Sequence, residues 1–160
     1  MKKLKLYLET SIWSHYYTDD AEEQMRDTLL LFNRIEEHRY DIFISYSVIA
    51  EIDRAKDDRK LELQILLKKY QPIVLEIFSE VYRLADGYMN RSALPRNSYD
   101  DAFHAAMTTT HGLDILVSWN CRHLANEISK NKINMTNIQY GYRPILIFTP
   151  AEVLLYEKGQ

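Results

Sequence analysis

The chain has 160 residues, 46% of them apolar, with four Gly, four Pro and a formal net charge of −3. That length suits one ordinary domain with one core, and the composition excludes a low-complexity or disordered chain. No apolar run approaches the roughly 18 residues of a membrane span, and the basic start at Met1-Lys2-Lys3 breaks at once into a strand-like alternation rather than the apolar stretch of a signal peptide. A single cysteine, Cys121, allows neither an internal disulfide nor a thiolate metal cluster, so a soluble, cytoplasmic protein is expected. The modest negative charge argues against passive, tight binding of nucleic acid over the whole surface, but not against an enzyme that grips it locally.

Read in chain order, the sequence alternates short β-branched runs with helical segments. Residues 4–8 form the first strand. A helix follows with acids Asp19, Asp20, Glu22 and Glu23 at its start and Met25, Leu29, Phe32 and Ile35 on one stripe. A second strand covers 40–45, and helices follow at 47–55 and 59–70, the latter closed by Pro72. A third strand, 73–77, leads to helices at 79–90 and 98–111, and Gly112 supplies the cap of the second. The remaining elements are a strand at 115–118, a shorter helix near 122–130, a strand at 145–148 and a helix from 150 to about 157, with Pro150 in its first turn. Strands apolar on both faces and separated by helices belong to a three-layer α/β/α domain with a central parallel sheet of about five strands, spanning 1–160 without an internal boundary or repeat.

Sites in open parallel sheets form beyond the carboxyl ends of the strands. Glu9 directly follows the first strand, and Glu51 lies one turn into the helix after the second. Asp101 opens the helix leading to the fourth strand, and Asn120 sits just past that strand's tip. Three carboxylates and an amide are hard oxygen donors, matched to Mg²⁺ or Mn²⁺ rather than Zn²⁺. A cation held in that way suits hydrolysis of phosphodiesters. Taken singly, each residue also has an ordinary structural reading. Asp101 stands three residues after Ser98, the spacing of a capping box. Of Asp100 and Asp101, only one can face a pocket, because neighbouring helical residues point about 100° apart. Glu51 alone would be a solvated helix acid, and His104 either bridges a metal from the Asp101 face or is a buried histidine with a hydrogen-bond partner. Glu9 is harder to explain structurally, since an acid at the end of a buried strand needs a partner or a cation. Trp13, Tyr16 and Tyr17 either pack or stack on bases. The Met25, Leu29, Phe32 stripe is core or a partner surface. The run Arg54, Lys56, Arg59, Lys60 is a solvated face or a track for a phosphate backbone. His123 and Arg122 either touch a phosphate or serve the surface.

At these positions the chain resembles the PIN domain family, metal-dependent ribonucleases that include VapC-type toxins. The resemblance rests on Tyr7-Leu8-Glu9-Thr10-Ser11, Ser47-Val48-Ile49-Ala50-Glu51-Ile52, Asp101-Ala102-Phe103-His104 and Ser118-Trp119-Asn120, in the family's order along nearly the whole chain. It implies a PIN-like fold and an endoribonuclease hydrolysing RNA with Mg²⁺ or Mn²⁺, the toxin of a type II toxin–antitoxin pair. Glu9, Glu51, Asp101 and Asn120 would be the catalytic and metal-holding residues. Thr10 and Ser118 would orient ligands or bound water, with Arg54 and Arg122 on the substrate side. The partners it implies are RNA, an antitoxin protein and a second copy of the chain. Glu stands where the family usually has Asp at position 9, and Asn where it usually has Asp at 120. The lost charge favours one metal over two, and a catalytically weakened PIN-like module that binds RNA or a protein is the alternative. A response-regulator-like receiver would need an Asp ending its third strand and a Lys ending its fifth. Ile77-Phe78 and Phe148-Thr149 occupy those places.

Overall fold

A computed structural model describes residues 2–18 and 20–159. Its elements run β1 (Leu4–Leu8), α1 (Thr10–Ser14) with a 3₁₀ turn at His15–Tyr17, α2 (Glu22–Glu36), β2 (Tyr40–Ile44), α3 (Tyr46–Asp53), α4 (Asp57–Tyr70) and β3 (Ile73–Val74). They continue as α5 (Ser79–Asn90), α6 (Tyr99–Thr110), β4 (Ile115–Val117), α7 (Glu127–Gln139), β5 (Leu146–Phe148) and α8 (Pro150–Lys158). The strands form one parallel sheet in the order β3-β2-β1-β4-β5, with helices over both faces, the expected three-layer α/β/α architecture.

The chain enters the sheet at its centre. β1 pairs with β2 on one side, Leu6 opposite Ile42, and with β4 on the other, Leu6 opposite Ile115. The winding therefore reverses beside β1, and a crevice opens past its carboxyl end, where Glu9 stands. Leu6, Tyr7 and Leu8 are fully buried, as are Ile115, Leu116 and Val117, because helices cover both faces of the central strands. Ala102, Ala105 and Ala106 are also fully buried, small enough to let α6 lie close in the core. Among the described residues, no helix is long and apolar enough to cross a membrane.

Several local expectations shift for physical reasons. The third strand shrinks to Ile73–Val74, and both residues are more than half exposed, since an edge strand has a neighbour on one side only. The inward stripe of α2 is Thr28, Leu31, Phe32 and Ile35, and the first of these is claimed by the indole of Trp119, which donates to Thr28 Oγ1 at 2.9 Å. Met25 and Leu29 instead flank that stripe and line a surface pocket with Leu30. Residues 121–126 form a turn rather than helix. α7 starts only after Asn126, whose side chain accepts from Ser129 N at 2.9 Å and so caps it. Helix α1 follows β1 without a linker because Glu9 itself serves as its N-cap. Asp19, counted among the acids opening α2, lies outside the described residues. Gly112 does take a left-handed conformation, φ 66°, after α6. Pro150 sits at the first turn of α8, behind a capping box made by Thr149 and Glu152. Trp13 is wholly buried, so it packs rather than stacks on a base.

α8 is tied back to α2 through Glu157, which accepts from Arg34 Nη1 at 2.8 Å, from Arg39 Nη1 at 3.2 Å and from the Tyr40 hydroxyl. Partial burial pushes the Glu157 carboxyl up, but the Tyr40, Arg34 and Arg39 bonds outweigh it and hold the group below the usual carboxylate range. A depressed folded-state pKa contributes stability that is present above the ordinary Glu value, near 4.3, and lost as pH falls through the depressed one. Glu157→Gln is therefore expected to flatten the acid limb of the stability–pH curve, measured by urea midpoints from neutral pH downward. An unchanged limb would show that the cluster stores no acid-sensitive stability.

Candidate active site

Glu9 sits where β1 gives way to α1, and its position there is built from hydroxyls and one backbone amide. Its Oε1 accepts from Ser11 N at 2.9 Å, from the Ser11 hydroxyl, and from Ser118 Oγ at 3.1 Å. All three bonds land on one oxygen, which leaves Oε2 as the one open to a cation. Ser118 directly follows β4 and in turn accepts from Asn120 N at 2.9 Å, while Ser11 Oγ accepts from Trp119 N, also at 2.9 Å. The tips of β1 and β4 are thus laced together through the side chain of Glu9. Thr10, expected to orient a ligand, makes none of these bonds, and Ser11 takes that place. The Thr10 hydroxyl lies beside Glu51 but is buried without a hydrogen-bond partner.

Asp101 lies in the first turn of α6 and is partly buried, whereas Asp100 is exposed, as helical geometry requires. The capping-box reading does not describe it. Ser98 makes no cap bond, and its hydroxyl meets His123 Nδ1 at 3.1 Å instead. Asp101 Oδ2 receives Asn120 Nδ2 at 3.2 Å and has His123 Nδ1 at 3.6 Å. The Asn120 amide is oriented by its other end, since Oδ1 accepts from His123 N at 3.1 Å. In this arrangement Asn120 presents a donor to Asp101, and its oxygen is spent on the backbone of the following turn.

Glu51, in α3, accepts from Ser47 Oγ at 3.3 Å and from His104 Nε2 at 3.0 Å. His104 is buried, and its other nitrogen meets the Tyr7 hydroxyl at 2.6 Å. That hydroxyl also lies 2.7 Å from Ser45 Oγ, which accepts from Ser47 N at 3.2 Å. A neutral His104 receives the Tyr7 proton on Nδ1 and donates from Nε2 to Glu51. A charged His104 donates from both nitrogens and turns the Tyr7 proton to Ser45. In either state Nε2 donates to Glu51, so the network holds that carboxylate at a fixed oxygen. The structure thus gives His104 the hydrogen-bonded buried role. Tyr7, Ser11 and Ser45 were not singled out in sequence because each reads as an ordinary strand or cap residue.

The electrostatics show three acids sharing one crevice. Burial pushes the Glu9 carboxyl up and the charge of Asp101 adds to this, against the opposing pull of His104 and Ser11. Burial also raises Asp101, with Glu51 adding, while His104, His123 and Asn120 oppose. Glu51 goes the other way: burial alone would raise it, but the bond and charge of His104, with the Ser47 hydroxyl, bring it below the usual range. Burial would lower His104, yet its bond to Glu51 and the charges of Glu9, Glu51 and Asp101 raise it. Two of the three acids therefore hold their protons more tightly, chiefly because they are buried and secondarily because of a neighbouring carboxylate's charge.

No protein-family model matches the chain, and no curated protein sequence matches it.

The donor chemistry fits a hard divalent cation. Glu9, Glu51 and Asp101 supply oxygen and negative charge, and the unpartnered Thr10 hydroxyl adds a further oxygen beside Glu51. Among the described residues, no three His, Cys, Asp or Glu side chains are arranged to hold a metal ion as they stand. The acids are instead satisfied by Ser11, Ser118, Asn120 and His104, so the fit lies in donor type and charge. Arg54 is exposed at the end of α3, and Arg122 is exposed on the turn after Asn120. Arg59 belongs to the scaffold rather than a solvated face, since its guanidinium binds the carbonyls of Ser14 and Tyr17 and so ties α4 to the end of α1 and the 3₁₀ turn after it.

Proposed function

We propose that the chain is a PIN-like endoribonuclease that hydrolyses RNA phosphodiester bonds with Mg²⁺ or Mn²⁺, and that it is the cytoplasmic toxin of a type II toxin–antitoxin pair. The observation that carries the reading is the meeting of Glu9, Asp101 and Glu51 at the carboxyl end of the central strand, where burial raises Glu9 and Asp101, with the charge of Asp101 adding to the first and that of Glu51 to the second. Glu9, Glu51 and Asp101 would hold the cation, with Asn120 beside them. A bound divalent ion there supplies a Lewis acid and a means of lowering the pKa of water at neutral pH. The chain's own residues do the rest. Ser11 and Ser118 hold Glu9, His104 holds Glu51, and Asn120 holds Asp101, so each carboxylate keeps an oxygen in a set direction. His123, bonded to Ser98 and near Asp101, can donate to a phosphate oxygen from the rim. By the same resemblance, an antitoxin and a second copy of the chain are its protein partners.

A second reading, a catalytically weakened PIN-like module that binds RNA or a protein, is favoured by the orientation of Asn120, whose amide nitrogen faces Asp101 where the family usually has a carboxylate. One experiment separates the two. Structured and single-stranded RNAs are incubated with Mg²⁺ or Mn²⁺, with EDTA, and with Asp101→Asn protein of verified circular dichroism. The nuclease reading expects cation-dependent cleavage reduced by at least about 100-fold in Asp101→Asn. Folded wild-type protein that cleaves no RNA with either cation would favour the binding module, and cleavage surviving the substitution would place the activity elsewhere.

A further inference from the structure

Next to the carboxylates the fold builds a basic cleft. It has a volume of about 480 Å³ and opens between the loop joining α5 to α6 and the turn before α7. Arg96 and Arg122 line it together with the hydroxyl-bearing Ser92 and Ser129, and no acidic side chain is among its lining residues. Arg34, Arg39, Arg59, Arg83 and Arg143 each pair with a carboxylate. Among the described residues, Arg26, Arg54, Arg91, Arg96 and Arg122 pair with none; of these, the exposed Arg96 and Arg122 are the two that line one cleft together. Unpaired cations in a cleft whose lining has no acid concentrate positive potential on one edge of a chain whose net charge is −3.

The cleft is held in shape by contacts that do not involve the guanidinium groups. Asn126 Nδ2 donates to the carbonyls of Cys121 at 3.2 Å and Arg122 at 3.0 Å, fixing the turn that carries Arg122. Ser98 Oγ meets His123 Nδ1 at 3.1 Å and so ties the Arg96 wall to the Arg122 wall. Lys132 Nζ donates to the Ser92 carbonyl at 3.3 Å and brings a third cation to the rim. The same turn runs directly into the site, because Arg122 is two residues past Asn120, which donates to Asp101.

We infer that this cleft binds a backbone phosphate of an RNA strand whose neighbouring nucleotides reach the carboxylate cluster. Two guanidinium forks and two hydroxyls match the several oxygens of a phosphodiester, and a guanidinium binds such a group through paired N–H bonds. The acidic pocket repels phosphate on its own, so a strand that reaches Asp101 needs cations outside the pocket, and this cleft provides them at its border. The grip is independent of sequence and sets which way the strand lies across the site. The inference rests on the proposed nuclease for what happens at the carboxylates, but not for the binding itself.

The test uses the full chain in EDTA, so that binding is read without cleavage. A fluorescent oligouridylate of about twelve nucleotides is titrated by anisotropy between about 50 and 200 mM salt. Removing one phosphate contact on a single strand lowers the magnitude of the log-affinity against log-salt slope by about 0.7. Arg96→Ala and Arg122→Ala should each give that loss and the double variant about twice it, while Arg39→Ala, at the Glu157 cluster, should leave the slope unchanged. Unchanged slopes in the cleft variants, or no binding by the wild type, overturn the inference. Poly-glutamate of matched charge binding as tightly and with the same arginine dependence also overturns it, in favour of an acidic protein partner. If cleavage fails with either cation while the slopes respond as stated, the nuclease reading fails and the phosphate cleft stands.

Discussion

His104→Asn is expected to weaken Mn²⁺ binding by about 10- to 100-fold, whereas His104→Gln should keep most of the affinity. His104 Nε2 donates to Glu51 Oε1 at 3.0 Å, and the ring is aligned by the Tyr7 hydroxyl on its other side. The amide nitrogen of Gln reaches about where Nε2 lies and can keep that donor. Asn reaches only as far as Nδ1, so it meets Tyr7 and leaves Glu51 without its partner. Both variants lose a hydrogen bond inside the core, and each should cost about 1–3 kcal/mol of stability in the absence of metal. Mn²⁺ titration followed by electron paramagnetic resonance, beside urea unfolding without metal, separates the two effects. If Asn and Gln lower stability alike and leave Mn²⁺ affinity alike, His104 is a core residue and does not position Glu51.

Asn120→Asp is expected to destabilise the metal-free protein by roughly 2 kcal/mol and to make its stability rise when a divalent cation is added. The amide nitrogen of Asn120 donates to Asp101 Oδ2 at 3.2 Å. Asp removes that donor and sets a second carboxylate against a group whose pKa is already raised by burial. Its other oxygen keeps the bond from His123 N, so the turn itself survives. Two like charges at about 4 Å repel by roughly 4 kcal/mol at a surface-like effective dielectric, and partial protonation of the pair relieves some of that. A cation at about 100 times its dissociation constant returns about 2.7 kcal/mol, enough to reverse the loss. Thermal unfolding of the variant with and without Mn²⁺ reads both signs. Equal metal-free stability of variant and wild type would mean that the Asn120–Asp101 contact carries no weight.

Much of the architecture was legible locally. The alternation of β-branched runs with helical segments, the rule that only one of Asp100 and Asp101 faces a pocket, the Gly112 cap and the Pro150 start all follow from contacts within about four residues, which periodicity and capping rules describe. Glu9 at the end of β1 was legible too, because a carboxylate closing a buried strand has few ordinary explanations. The same local rules failed where a distant partner outbid them. The α2 stripe shifted because Trp119 claims Thr28, 91 residues away. Thr10 and Ser11 were not told apart in sequence; Ser11 both holds Glu9 and receives Trp119 N, 108 residues away. The start of α7 moved because residues 121–126 serve as the turn beneath Asn120.

Sequence alone determined most of the elements, their parallel arrangement and the four positions that end up past the strand tips. Tertiary structure alone decided that β1 lies at the centre, where the winding reverses, and what each of those four side chains does there. Tyr7 finds His104 across 97 residues and Ser118 finds Glu9 across 109. Which end of the Asn120 amide faces Asp101 depends on the backbone N–H of His123, in the turn that follows β4. A helix or strand is set by neighbours along the chain, but the charge state and direction of a buried polar group are set by whichever atoms the fold brings within 3 Å of it.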